Sequence, residues 1–281
     1  MIGRGGSYNW KLPSALPGFG VSLGVTLAYL SLIVLIPLSA LVLRPWENGL
    51  APVIATLGDE RAVAALRLSF VAAAIAASIN GVMGVLLAWV LTRYEFWGKG
   101  VADAIIDLPF ALPTAVAGIA LTALYAQNGP LGGVLSALHL KVSYTPVGIV
   151  VAMIFVGLPF VVRSVQPVLQ DLDKEVEAAA RTLGANPLQI ASRIILPALL
   201  PGIVSGVGLA FARGVGEYGS VIFIAGNMPL KSEIAPLLIV TQLEQFNYAG
   251  AATIGLAMLG LSFTILLTFN GLQVLLARRG L

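Results

Sequence analysis

The sequence predicts an all-α fold, a polytopic membrane bundle of six transmembrane helices forming one domain over 1–281. Three observations predict it. Apolar residues make up 58% of the chain and charged residues only 10%, with a mean hydropathy of +0.94. A soluble domain carries about 25% charged and about 45–50% apolar residues, so a water-soluble fold of this size could not hide so much hydrocarbon. Six stretches reach or approach the roughly 20 apolar residues needed to cross about 30 Å of hydrocarbon. None of them shows strand-type alternation, which argues against a β-barrel.

The first stretch spans about 19–43. Its apolar run is longer than the roughly 7–15 residues of a signal peptide, and no clear cleavage site follows, so it is expected to remain as a span. The second, about 62–92, is long enough to tilt. The third spans about 105–126, the fourth about 146–168, the fifth about 198–225 and the sixth about 249–277. Lys and Arg set the orientation. One set of loops holds ten of them: Arg4, Lys11, Arg93, Lys99, Arg163, Lys174, Arg181, Arg193, Arg278 and Arg279. The opposite set holds four, Arg44, Arg61, Lys141 and Lys231, while Arg67 and Arg213 fall within spans. Both termini are therefore expected in the cytoplasm. The segments 44–61, 127–145 and 226–248 are expected outside.

Composition also excludes several classes. Cysteine is absent, which removes disulfides, iron–sulfur clusters and thiolate metal sites. His139 is the single histidine, so a multi-histidine metal centre is excluded and no metal or other cofactor is expected. A net charge of +3 is too weak to suggest nucleic acid. No phosphate loop ending in Gly-Lys-Ser/Thr occurs, and Gly98-Lys99-Gly100 is no substitute. An intramembrane hydrolase lacks a nucleophile–base pair, and the inverted repeats common in ion-driven secondary transporters are not detectable.

The long loop at about 170–197 is the most informative segment. Leu172, Val176, Ala179, Ala180 and Leu183 recur at helical spacing, with Asp171, Asp173, Lys174, Glu175, Glu177 and Arg181 around them. Gly184 suits a helix stop. Asn186, Pro187 and Gln189 read as a new helix start with a capping box. Pro197 and Pro201 are expected to bend the chain back into the membrane. The result is a rigid helical hairpin over about 171–192 with a small, alanine-rich tip. It reads either as a solvated loop or as a docking element for a cytoplasmic partner.

The spacing Ala178-Ala179-Ala180, three residues, Gly184, nine residues, Ile194, one residue, Leu196-Pro197 resembles the EAA signature of bacterial ABC-importer permeases. The family's glutamate falls on Ala178, with Glu177 one position earlier. LTRYEFWG at 91–98, DLPFALPTAVAG at 107–118, VVRSVQPVL at 161–169 and VIFIAGN at 221–227 resemble the sulfate/thiosulfate permease family CysT, also called CysU. Molybdate permeases are similar in the hairpin and fifth span, and less so in these stretches; they form the main alternative.

The resemblance implies the type I ABC importer permease fold in the bacterial inner membrane, with a core at about 62–277. It implies that Glu177, Ala178, Ala179, Ala180, Arg181, Gly184, Ile194, Leu196 and Pro197 couple the chain to an ATPase. It also implies partners: a homologous CysW-like permease, two CysA-like ATP-binding subunits and a periplasmic sulfate- or thiosulfate-binding protein. The chain itself would then be no enzyme.

Ionisable groups at membrane depth are functional candidates by default. Arg213 and Glu217, four apart, are expected to share a helix face and pair. They serve either as a structural pair or as a lining of the translocation path, where guanidinium suits a tetrahedral oxyanion. Thr114, Gly118 and Asn80 are further path candidates, although Asn80 also suits a helix–helix hydrogen bond. Asp103 and Asp107 suit the positive start of the third helix. Arg163 is placed to snorkel to headgroups, and His139 reads as a surface histidine.

Overall fold

The computed structural model describes residues 18–47 and 49–278. Arg4, Lys11 and Arg279, used above to set orientation, lie outside the described residues. Helix α1 covers Phe19–Trp46 and α2 Leu50–Gly58. Helix α3, Glu60–Arg93, is followed by α4, Lys99–Ala111, and α5, Thr114–Tyr125. A short α6, Pro130–Ala137, leads to α7, Pro146–Asp171. The hairpin consists of α8, Lys174–Thr182, and the first turns of α9, Pro187–Val215. Then come α10, Val221–Ile224, α11, Ala235–Glu244, and α12, Tyr248–Arg278. Five helices are long and apolar enough to cross a membrane, or six if α4 and α5 count as one broken span.

The core is α3, α7 and α9 packed on one another. Helix α3 buries a stripe of small residues, including Ala62, Ala65, Ser69, Ala72, Ala76, Asn80, Gly84 and Ala88. Small residues let membrane helices approach closely, which replaces the hydrophobic drive that lipid removes. Val161 of α7, fully buried, sits where three backbones converge. A Cβ on Gly84 would lie 2.7 Å from its Cγ1, and one on Gly206 of α9 would lie 2.7 Å from its Cα. Helix α12 packs against α9 and α11, and α1 reaches the body through its last turns against α12. The rest of α1 is apolar and exposed on every side, as suits a helix surrounded by lipid.

The structure corrects three expectations. The third span is not one straight helix: α4 and α5 meet at 115°. Leu112 precedes Pro113 and adopts an extended backbone (φ −83°, ψ 133°), as a residue before proline prefers. Nor do Pro197 and Pro201 turn the chain. Helix α9 runs through both, starting eleven residues before the expected Ala198. A π-turn at Ala191–Ile195 widens the helix just before Pro197, giving its ring room against the carbonyl four residues back. The same device, a π-turn at Ser31–Leu35, precedes Pro37 in α1. The fifth span likewise stops at Val215 rather than near 225, because Gly216–Gly219 leaves the helix. The segment 226–248, expected outside, is itself structured. It contains α11, whose Ala235 and Leu238 are buried with Ala62, Ala65 and Ile254.

Candidate functional site

Two regions gather the candidate residues, the hairpin and a glycine-rich joint at the opposite end of α9. In the hairpin, Asp173 caps α8 by accepting from the Glu175 amide at 2.8 Å. Gly184 ends the helix with φ +85°. The Ala185 amide donates to the Ala180 carbonyl and that of Gly184 to Arg181, both at 3.0 Å, which is a Schellman closure. The capping box forms as the sequence predicts. Asn186 Oδ1 accepts from the Gln189 amide at 2.8 Å, and Gln189 Oε1 from the Asn186 amide at 2.9 Å. The bend thus holds two helices rigidly with few residues.

Its surface is apolar at the tip. Leu183 is 88% and Leu188 78% exposed, and Ala178, Ala179 and Arg181 are exposed beside them. Ala180 and Ile194 instead pack onto the core. Leu196 is exposed and Pro197 half-buried. Glu177 turns inward: its Oε1 accepts from Arg93 Nη2 at 2.6 Å, and the two side chains are only 14% and 9% exposed. Arg93 lies at the last residue of α3 and stacks 5.5 Å from the Trp89 ring. A buried ion pair therefore latches the hairpin to the core. Sequence reasoning used Arg93 only as an orientation charge; nothing local signals a partner 84 residues away.

At the joint, Arg213 and Glu217 pair, but not along one helix face. Glu217 lies beyond the end of α9, in the Gly216–Gly219 break. Its carboxylate, 1% exposed, also accepts from the Ser220 amide at 2.9 Å and the Ser220 hydroxyl at 2.8 Å. One buried carboxylate thus ties α9 to the start of α10, while Arg213 remains one-third exposed. Helix α5 closes over this joint. A Cβ on Gly118 would collide with the Ser220 backbone, its Cα at 2.7 Å, and one on Gly219 would collide with the Thr114 side chain, its Cβ at 2.9 Å. Four of the five path candidates therefore converge. Asn80 lies apart, fully buried, and donates to the Ile154 carbonyl at 3.1 Å, bridging α3 and α7.

A second charged cluster overturns two readings. Arg163 does not snorkel. Its Nε donates to Asp107 Oδ1 at 2.9 Å and its Nη1 to Asp103 Oδ1 at 2.8 Å, with Gln166 completing the group. Asp103 and Asp107 accordingly do not serve the helix start. They sit in the second and third turns of α4, four apart on one face, where they fasten α4 to α7. At the end away from the hairpin, Arg61 grips Glu233 with two 2.7 Å bonds, and the Ala235 amide donates to Ser69 Oγ at 2.8 Å.

Residues 80–280 match the family described as binding-protein-dependent transport system inner membrane component. The chain is 47% identical over 264 residues to the sulfate transport system permease protein CysT of Salmonella typhimurium, covering 94% of this chain and 95% of that one. The protein of the same name from Synechocystis is 45% identical over 249 residues, covering 89% and 87%. Among solved structures, a bacterial ABC transporter involved in import of the acidic polysaccharide alginate superposes with a TM-score of 0.74 at 16% identity, over 90% of this chain and 94% of that one. The MetNI methionine ABC transporter, in an inward-facing form, gives 0.56 at 17% identity, over 76% and 94%.

Proposed function

The chain belongs to the binding-protein-dependent transport system inner membrane components and has the type I importer permease fold; from that premise we propose that it conducts sulfate and thiosulfate. It is a permease subunit of an ABC transporter, an integral membrane protein rather than an enzyme. The single observation behind the substrate is the 47% identity, across 94% of this chain, to permeases named for sulfate transport.

In this reading the hairpin end faces the cytoplasm, as the Lys and Arg bias argues, and both termini lie there. The whole of 1–281 acts as one unit around the core at about 62–277. The exposed tip around Ala178, Ala179, Arg181, Gly184, Leu183 and Leu188 enters a groove on a CysA-like ATP-binding subunit. Small side chains there let another backbone approach, and the rigid bend transmits displacement. Glu177, latched to Arg93, relays that displacement to α3. A CysW-like permease completes the channel, and an extracytoplasmic sulfate- or thiosulfate-binding protein delivers the anion. Arg213, Glu217, Thr114 and Gly118 border the path at the joint. Arg213, one-third exposed, offers a guanidinium to passing oxyanion, while Asn80 holds α3 to α7.

The test is radiolabelled sulfate uptake in cells lacking their own sulfate permease, with the cognate partners co-expressed. Wild type restores uptake. Gly184→Asp, which reaches the membrane but puts a negative charge on the exposed bend, abolishes it. Failure of wild type to restore sulfate uptake refutes the substrate; normal uptake by Gly184→Asp refutes the coupling role.

A further inference from the structure

Between α5 and α7, at the end of the bundle away from the hairpin, residues 126–145 form a cup of 520 Å³ that the transport reading leaves unused. Tyr125, Asn128, His139, Lys141, Ser143 and Tyr144 line it. From Leu108 to Gln170 the sequence contains no Asp or Glu. The cup is therefore free of carboxylates from its own segment while holding an exposed lysine, a histidine and several neutral donors. An anion entering it meets donors and no repulsion.

The cup is held in shape. Helix α6 ends in a Schellman closure in which the Leu140 amide donates to the Leu135 carbonyl at 2.9 Å and that of His139 to Ser136 at 3.0 Å. His139 takes the left-handed place, φ +58°, that glycine usually fills. The Tyr144 amide donates to the Ile224 carbonyl at 2.6 Å. Thr145 Oγ1 donates to the Val142 carbonyl at 2.6 Å. These bonds fix both sides of the Lys141–Ser143 segment.

Ser143 supplies an independent sign of a guest. It is 3% exposed, and its hydroxyl has no hydrogen-bond partner among the described residues. A buried hydroxyl without a partner is unfavourable by about 1–3 kcal/mol. Ser143 is one of the residues lining the cup, and its hydroxyl turns about a single bond.

We propose that the 126–145 cup is a low-affinity reception site for the tetrahedral oxyanion, with Lys141 as its charge and Ser143 as a donor at its floor. This rests on the transport reading and adds a place where the doubly charged ion pauses after release on the outer face. The cup is connected to the joint through structure: Tyr144 bonds Ile224 at the end of α10, and α10 begins at the Glu217–Ser220 link.

The test uses the assembled importer in proteoliposomes and measures anion uptake and ATP hydrolysis together. Lys141→Gln and Ser143→Ala lower the ratio of anion transported to ATP hydrolysed about tenfold and a few-fold respectively, in line with loss of a charged or a neutral hydrogen bond. Lys141→Arg keeps the ratio, and Lys231→Gln, on another loop, leaves it unchanged. Because the chain has no cysteine, Lys141→Cys allows a second check. A reagent adding a positive amine restores the ratio, and one adding a sulfonate lowers it further. If uptake and hydrolysis fall together, the cup docks a protein partner and the proposal is overturned. An unchanged ratio overturns it as well. If wild type carries another oxyanion instead of sulfate, the substrate reading fails, and the same ratio measured with that anion decides the cup.

Discussion

Replacing Glu177 with Gln tests whether the hairpin is latched to the core. The change keeps the side chain's size and removes only its charge. In the wild type the carboxylate lies 2.6 Å from Arg93 Nη2, and both groups are mostly shielded from water. Breaking a fully buried pair costs about 3–5 kcal/mol. The remaining exposure here reduces that to about 2–3 kcal/mol, the upper part of the range for a hydrogen bond to a charged group. At 1.36 kcal/mol per factor of ten, the undocked population of the hairpin rises roughly 30- to 160-fold. Hydrogen exchange of the α8 amides in the nanodisc-embedded importer reads this directly. Exchange in α8 accelerates by that factor in Glu177→Gln and in Arg93→Gln, while α7 is unaffected. The double variant is no faster than either single, since the second change removes a partner already lost. Exchange in Glu177→Gln within about threefold of wild type would refute the latch. The hairpin would then be held by Ala180 and Ile190 packing alone.

Other expectations follow from single contacts. Asn186→Ala removes one half of the capping box and lowers stability by about 1 kcal/mol, read as a lower melting temperature of the purified importer with partial uptake retained. Gly118→Val drives its branched side chain into the Ser220 backbone, whose Cα would lie 2.7 Å from the new Cβ. Transport is lost while Gly133→Ala, which meets only the Gln127 carbonyl at 3.7 Å, remains active. Arg163→Met leaves Asp103 and Asp107 facing each other without a cation. Given their partial exposure this costs about 1–2 kcal/mol, and Asp107→Asn in the same chain recovers part of the melting temperature.

The sequence made the local features legible. Gly184, the Asn186–Gln189 box and the start at Pro187 are all signals within a few residues, and the structure reproduces each. Span composition was equally plain, because about 20 apolar residues announce themselves by count alone. What escaped was whatever depends on a distant partner. Arg163 reads as a snorkelling cation until α4 brings two carboxylates from 56 and 60 residues away. Arg61 reads as a loop cation until Glu233, 172 residues later, meets it. Prolines misled in both directions. Pro113 broke a span that composition drew as continuous, and Pro197 sits in a helix that runs on where a bend was expected, because a π-turn absorbed its ring. At the joint the pairing of Arg213 with Glu217 was readable from spacing, but the exit of Glu217 from the helix was not. Three glycines within Gly214–Gly219 carried that signal.

Helix α9 has the geometry of a lever. It is 29 residues long, about 43 Å at 1.5 Å per residue, with the hairpin bend at one end and the Glu217 link at the other. Among its glycines the closest approach to a neighbour is at Gly206, where no side chain separates it from the Val161 backbone. A rod pressed that closely at one point pivots there more readily than it slides. The arm toward the hairpin is then about 28 Å and the arm to the end of the helix at Val215 about 13 Å. The gearing is close to two to one. In the proposed coupling, a displacement of the hairpin bend reaches the Val215 end of the rod at roughly half its size, so that twice a hydrogen-bond length at the bend, about 6 Å, becomes about 3 Å beside Arg213 and Glu217. That step equals one hydrogen-bond length, enough to take a carboxylate from one set of partners to another without unfolding either end of the rod.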